Sequence, residues 1–132
     1  MPVKREIIVP KNERLNVSRN FNLPHSPGVR AGDFIFLSGM LSTDPQTGER
    51  SPGTMAHETR QTLTNLRHLL ESAGSSLERL VQVRAMIYDR MEYDALNRVY
   101  RQYVPQGPPA RTVWSVRIID AFKVQLDAVA LV

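Results

Sequence analysis

TRQTLTNLRHLLESAGSSLERLVQVRAMIY, residues 59 to 88, holds two periodicities back to back. In its first half Thr59, Leu63, Leu66, Leu70 and Ala73 recur at spacings of 4, 3, 4 and 3. On a helix of 3.6 residues per turn those positions form one apolar stripe, with Arg60, Asn65, Arg67 and Glu71 off it. In its second half Val81, Val83, Ala85 and Ile87 alternate with Gln82, Arg84 and Met86. That is the period of a strand with one face in a core. Thr54 after Gly53 supplies an N-cap for the helix, and Gly74 stops it in a C′ position. Ser75 and Glu78 have the spacing of a capping box for one short turn before the strand.

Working outward, residues 5 to 9 (REIIV) read as a short strand stopped by Pro10. Residues 11 to 32 are polar and carry Pro24, Pro27, Gly28 and Gly32, so they read as mostly loop or edge. Phe34 to Leu37 make a buried strand ending at Ser38-Gly39, and Asp44-Pro45 and Thr47-Gly48 are turn signals. A second helix covers about 91 to 103, with Tyr93, Leu96, Val99, Tyr100 and Tyr103 on one side and Pro105, Pro108 and Pro109 ending it. Two strands finish the chain, 111 to 119 and 123 to 132, joined as a hairpin by a short turn at Asp120-Ala121. Helices that follow strands singly, with that hairpin at the end, predict an α+β fold: a mixed sheet with two helices packed on one face.

The 132 residues suit a single domain, with residues 1–23 as an N-terminal strand and loop extension. The chain has no cysteines, which excludes a disulfide framework, a thiolate metal site and a cysteine nucleophile. No apolar run suits a signal peptide or a membrane span, so the expected location is cytoplasmic. Net charge is +4 and the sequence pI about 9.9. The basic residues are scattered from Lys4 to Lys123 without a run or aromatic interleaving, which argues for solvated charge over a nucleic-acid stripe. His25, His57 and His68 have no metal-ligand spacing, so no metal site is expected. His57 and His68 are expected on the polar side of the first helix.

The last two strands pose the functional question. Trp114, Val116 and Ile118 alternate with Arg111, Val113, Ser115 and Arg117, and Val124, Leu126, Ala128 and Ala130 with Gln125, Asp127, Val129 and Leu131. The expected core faces are the Trp114 set and the Val124 set. The opposite face, with Arg111, Val113, Val129 and Leu131, is too apolar for a free surface and too polar for a plain core. Such a face is expected where subunits pack with a site at the seam.

Four segments together resemble one family: HSPGVRAGDFIFLSGMLSTDPQTGE (25–49), TRQTLTNLRHLLESAGSSLERLVQV (59–83), ALNRVYRQY (95–103) and GPPARTVWSV (107–116). In order and spacing they are similar to the RidA/YjgF family of reactive enamine/imine intermediate deaminases, over residues 24 to 132. The resemblance implies a chorismate-mutase-like α+β fold and a homotrimeric barrel with sites in clefts between subunits. It implies hydrolysis of 2-imino or 2-enamino acids, such as 2-aminoacrylate, to 2-keto acids and ammonia, without metal or organic cofactor. The family's signature arginine falls on Arg111, its serine-glycine pair on Ser38 and Gly39, its helix asparagine on Asn97. Its last-strand acid falls on Asp127, where glutamate is usual. His25 stands where tyrosine is usual, Val113 where cysteine is usual, and Met40 where glutamine is usual.

Physical reasons accompany these assignments. A guanidinium binds a carboxylate through two parallel N–H bonds, so Arg111 would fix which end of an imino acid enters. The bland alternative is a surface arginine paired with a neighbouring acid. An imine is already electrophilic, so its hydrolysis needs a placed water and proton transfer. Asp127 could hold that water or protonate the departing nitrogen, or simply pair with Arg117 or Arg84. Ser38 could offer a hydroxyl and Gly39 a close backbone N–H. Asn97 lies off the apolar stripe, and His25 is of the type that changes charge near neutral pH. Both join Val113 as expected substrate contacts. The rival readings are a non-catalytic small-acid binder on the same fold, a deaminase serving one pathway with a larger imino acid, and an RNA-linked role suggested by the basic pI.

Overall fold

The computed structural model describes residues 4–104 and 106–132; Pro105, one of the expected helix stops, lies outside them. The elements in chain order are β1 (Arg5–Ile8), α1 (Val17–Asn20), β2 (Gly28–Ala31), β3 (Phe34–Met40), α2 (Met55–Ser72), β4 (Leu80–Ile87), α3 (Tyr93–Tyr103), β5 (Ala110–Ser115) and β6 (Val124–Leu131). The two periodicities of residues 59–88 become α2 and β4. The Thr54 side chain accepts from the His57 N–H and caps α2 as expected.

The strands form one mixed sheet in the order β1-β2-β3-β6-β4-β5. Every neighbouring pair is antiparallel except β4 and β5, which run parallel with α3 as their crossover. Both long helices cover one face. Leu63, Leu66, Leu69 and Leu70 of α2 and Leu96, Val99 and Tyr100 of α3 close over Ile35, Val83, Ala85, Ile87, Leu126 and Ala130. Each large apolar side chain buried there contributes roughly 1.5–3 kcal/mol. The α+β mixed sheet with helices on one face is as the sequence predicts. Among the described residues no helix is long and apolar enough to cross a membrane.

Several expectations are corrected. The terminal hairpin does not form, because β4 lies between β5 and β6. The α3 crossover sets β5 against the free edge of β4. Residues 116–123 then step over that strand, a shift of about 10 Å for two strand spacings. Residues 28–31, read as mostly loop or edge, are β2, turned back onto β3 at Gly32, whose φ of 60° favours glycine. Val81 is not a core residue. The register of β4 on β6 shifts between Leu80 and Gln82, so Leu80 is buried and Val81 exposed. Asn65, off the apolar stripe, is nonetheless buried, its amide donating to the Leu41 and Thr43 carbonyls. His68 is not on a free polar side either, since its Nε2 accepts from the Asn12 N–H at 3.0 Å. The capping box fails too: Ser75 donates to the Leu131 carbonyl instead.

Candidate functional site

The expected site residues fall into two groups on opposite faces of the sheet. Arg111 is the second residue of β5 and stands beside Val83, a core-face residue of β4; Val113 stands beside Ala85. Arg111 and Val113 therefore point to the helix side, and Val113 packs against the core. Trp114 and Val116, the expected core residues, are 43% and 40% exposed, while Ile118 is buried. The alternation was right and the choice of face reversed. On an edge strand with apolar residues on both sides, neighbouring register decides the face, and apolarity does not.

Helix α3 builds the first group. Tyr93, Asn97 and Tyr100 sit at helical spacing and form a bed for Arg111. Its Nη2 donates to the Asn97 Oδ1 at 2.8 Å and to the Tyr93 hydroxyl at 3.3 Å. The guanidinium lies 4.7 Å from the Tyr100 ring centroid and 5.8 Å from that of Tyr93. Burial pushes the Tyr100 phenol above its ordinary range, and the positive charge of Arg111 offsets part of that rise. Among the described residues no carboxylate pairs with Arg111. The guanidinium is held, half-buried and oriented, with its charge unanswered.

The second group lines a cleft of about 490 Å³ on the other side of the sheet, which brings together His25, Ser38, Gly39, Met40, Arg84, Gln125 and Asp127. The register of β3 on β6 breaks between Leu37 and Met40, so Ser38 and Gly39 bulge out of the ladder toward the cleft. The Ser38 N–H is taken by the Pro27 carbonyl and its hydroxyl donates to the Ser26 carbonyl at 2.5 Å. The serine thus offers lone pairs, not donors. Gly39 is glycine because the Gln125 amide lies where a Cβ would stand. The expected close approach is made by Gln125, leaving less room there for a ligand.

Asp127 lies directly across from Arg84. Arg84 donates through Nε to Oδ1 at 2.7 Å and through Nη2 to Oδ2 at 3.0 Å. The hydrogen bond first, and the carboxylate charge second, raise the Arg84 guanidinium further above its ordinary range. The rest of the wall is mostly apolar, with Leu15, Val17, Leu23, Leu41 and Ile119, and is joined by the polar Ser18, Thr43 and Asn65. Among the described residues no group of three or more His, Asp and Glu side chains could hold a metal ion.

One chain therefore joins Arg111 to Asn97 and Val113, and Asp127 to Ser38, Gly39 and His25, but not the two sets to each other. Sequence reasoning missed Tyr93 and Tyr100 as contacts of Arg111. Their spacing of four and three about Asn97 was a usable signal. It also missed the walls from residues 15 to 23 and 119, which carry no local pattern.

The family profile described as Endoribonuclease L-PSP matches residues 19–132. A RutC family protein of Pyrococcus horikoshii is 34% identical over 108 residues, covering 81% of this chain and 86% of that one. A 2-iminobutanoate/2-iminopropanoate deaminase of Capra hircus is 32% identical over 109 residues, covering 82% of this chain and 80% of that one. In three dimensions the chain superposes on yeast YEO7 with a TM-score of 0.88 at 24% identity, over 97% of this chain and 98% of that one. That likeness extends the fold beyond the profile's start at residue 19. The fold is chorismate-mutase-like.

Proposed function

The chain belongs to the endoribonuclease L-PSP family, also written RidA/YjgF, and from that membership we propose that it hydrolyses 2-imino and 2-enamino acids to 2-keto acids and ammonia. The observation that carries the proposal is the held but unanswered Arg111. A guanidinium pinned on one side by Asn97 and Tyr93 keeps N–H groups free for a carboxylate in the bidentate geometry it prefers. The carboxylate that 2-imino acids carry meets that requirement.

The anchor and Asp127 point to opposite faces of one sheet, so the complete site takes two copies. One contributes Arg111 with Asn97 and Val113; its neighbour contributes the cleft of Ser38, Gly39, His25 and Asp127. A homotrimer closes such heterologous contacts into a ring. The apolar open face, with Phe34, Phe36, Trp114 and Leu131 between 38% and 48% exposed, suits burial in that assembly. With the substrate carboxylate on Arg111, a water in the cleft passes a proton to Asp127 as its oxygen bonds to C2. The C=N bond becomes C–N as Asp127 hands that proton to the nitrogen; the new hydroxyl then gives its proton to the nitrogen, C=O forms, the C–N bond breaks and ammonia leaves.

The test mixes the protein with an imino acid generated by an amino-acid oxidase and follows keto-acid release. The expected result is acceleration over buffer, with Arg111→Ala lowering kcat/KM about a hundredfold or more. An Arg111→Ala variant as active as wild type overturns the proposal. A second reading, a small-acid binder without turnover, draws on both Asp127 oxygens being engaged by Arg84. Calorimetric binding of a keto acid with no turnover singles it out. The apolar wall of Leu15, Val17, Leu23 and Ile119 favours an imino acid with a larger apolar side chain within the deaminase reading.

A further inference from the structure

We propose that Arg84 is a positioning residue that holds Asp127 in one orientation toward the cleft; this rests on the deaminase reading. Arg84 and Asp127 are directly opposed across β4 and β6, where side chains on one face stand closest. Both line the cleft with Ser38 and His25. The pair is asymmetric: the Asp127 side chain is 19% exposed and that of Arg84 54%. The guanidinium therefore lies on the outer side and the carboxylate on the inner.

The geometry does more than neutralise charge. An aspartate on an open sheet face samples several rotamers. A planar fork bonding both oxygens, at 2.7 and 3.0 Å, fixes both side-chain torsions together. A carboxylate offers about four lone-pair directions, and two stay free here for a water. Preorganisation of this kind acts on the rate of the chemical step and leaves the carboxylate anchor untouched. In the single chain the pair is half-exposed and screened by solvent, so its loss is expected to cost little folding stability.

The test is a cycle of wild type, Arg84→Met, Asp127→Asn and the double variant, with kcat, KM and melting temperature measured for each. Arg84→Met is expected to lower kcat about tenfold, a fraction of what a placed general base contributes, with KM and melting temperature unchanged. Arg84→Lys, which reaches one oxygen, is expected to fall between wild type and Arg84→Met. In the Asp127→Asn background Arg84→Met is expected to change kcat by less than about twofold, because its route of action is gone. An equal loss in both backgrounds, or a rise in KM alone, overturns the proposal. Side-chain coupling constants of Asp127 give a readout independent of turnover: one rotamer in wild type and averaging in Arg84→Met are expected. If wild type accelerates no imino-acid hydrolysis, the deaminase reading falls, while averaged couplings in wild type still sink the positioning role.

Discussion

Tyr100 carries two opposed demands in one side chain. Its ring lies under the Arg111 guanidinium, and its hydroxyl is buried without a hydrogen-bond partner. An unpaired buried hydroxyl costs about 1–3 kcal/mol, so Tyr100→Phe is expected to raise stability by about 1 kcal/mol in urea denaturation at neutral pH. The ring face, and so the contact with Arg111, remains. The pH dependence has a definite sign. Burial raises the phenol above its ordinary value of 10.0, so above that value the unfolded chain has lost a proton that the folded one keeps. Stability from this group is fully present below pH 10.0 and falls as pH rises through the folded-state value. Urea midpoints at pH 9 and above 10 are expected to diverge between wild type and Tyr100→Phe, with wild type losing more. Equal losses would show that the hydroxyl is not held in its neutral form. Neither burial nor the missing partner is written in the sequence, where Tyr100 is one aromatic of a helical stripe.

At the scale of elements, Glu58 of α2 ties three segments together. It is 1% exposed. Its Oε1 accepts from the Lys123 N–H at 3.0 Å and from the Ser42 hydroxyl at 3.3 Å, and its Oε2 from the Gly53 N–H at 3.3 Å. Lys123 adds its ammonium, which also donates to the Gly53 carbonyl. One carboxylate thus fixes the first turn of α2 to the loop before it and to the start of β6. Glu58→Ala strands those donors and is expected to lose about 3 kcal/mol of unfolding free energy by chemical denaturation. Glu58→Gln, which keeps an acceptor oxygen, is expected to lose clearly less. The helix itself was legible from its stripe and its Thr54 cap, because both are local. The buried Glu58 and Asn65 were not, since their partners come from other segments and the stripe pattern marks them as polar.

At the scale of the whole molecule, the open face of the sheet carries Ile7, Phe34, Phe36, Trp114 and Leu131. The proposed trimer buries this face and brings Arg111 of one copy to the Asp127 cleft of the next. Phe36→Glu places a charge in the middle of it, opposite Val29 on one side and Val129 on the other. The expected outcome is a folded monomer by sedimentation, with unchanged far-ultraviolet circular dichroism and lost deaminase activity. Trimers of full activity would show that the face serves another purpose.

Local chemistry alone determined the helices, the capped start of α2, the alternation along β5 and β6 and the short motifs that placed the chain in its family. These depend on neighbours within a few residues, which the sequence contains. Only the tertiary structure decided that β4 separates β5 from β6, that Arg111 faces the helices and Asp127 the open side, and that Arg84 grips Asp127. Strand order and facing follow from which edge a crossover reaches and from the register it locks. A shift of one residue inverts a strand's faces while leaving its local pattern intact, and that is why the sequence could name the residues without joining them.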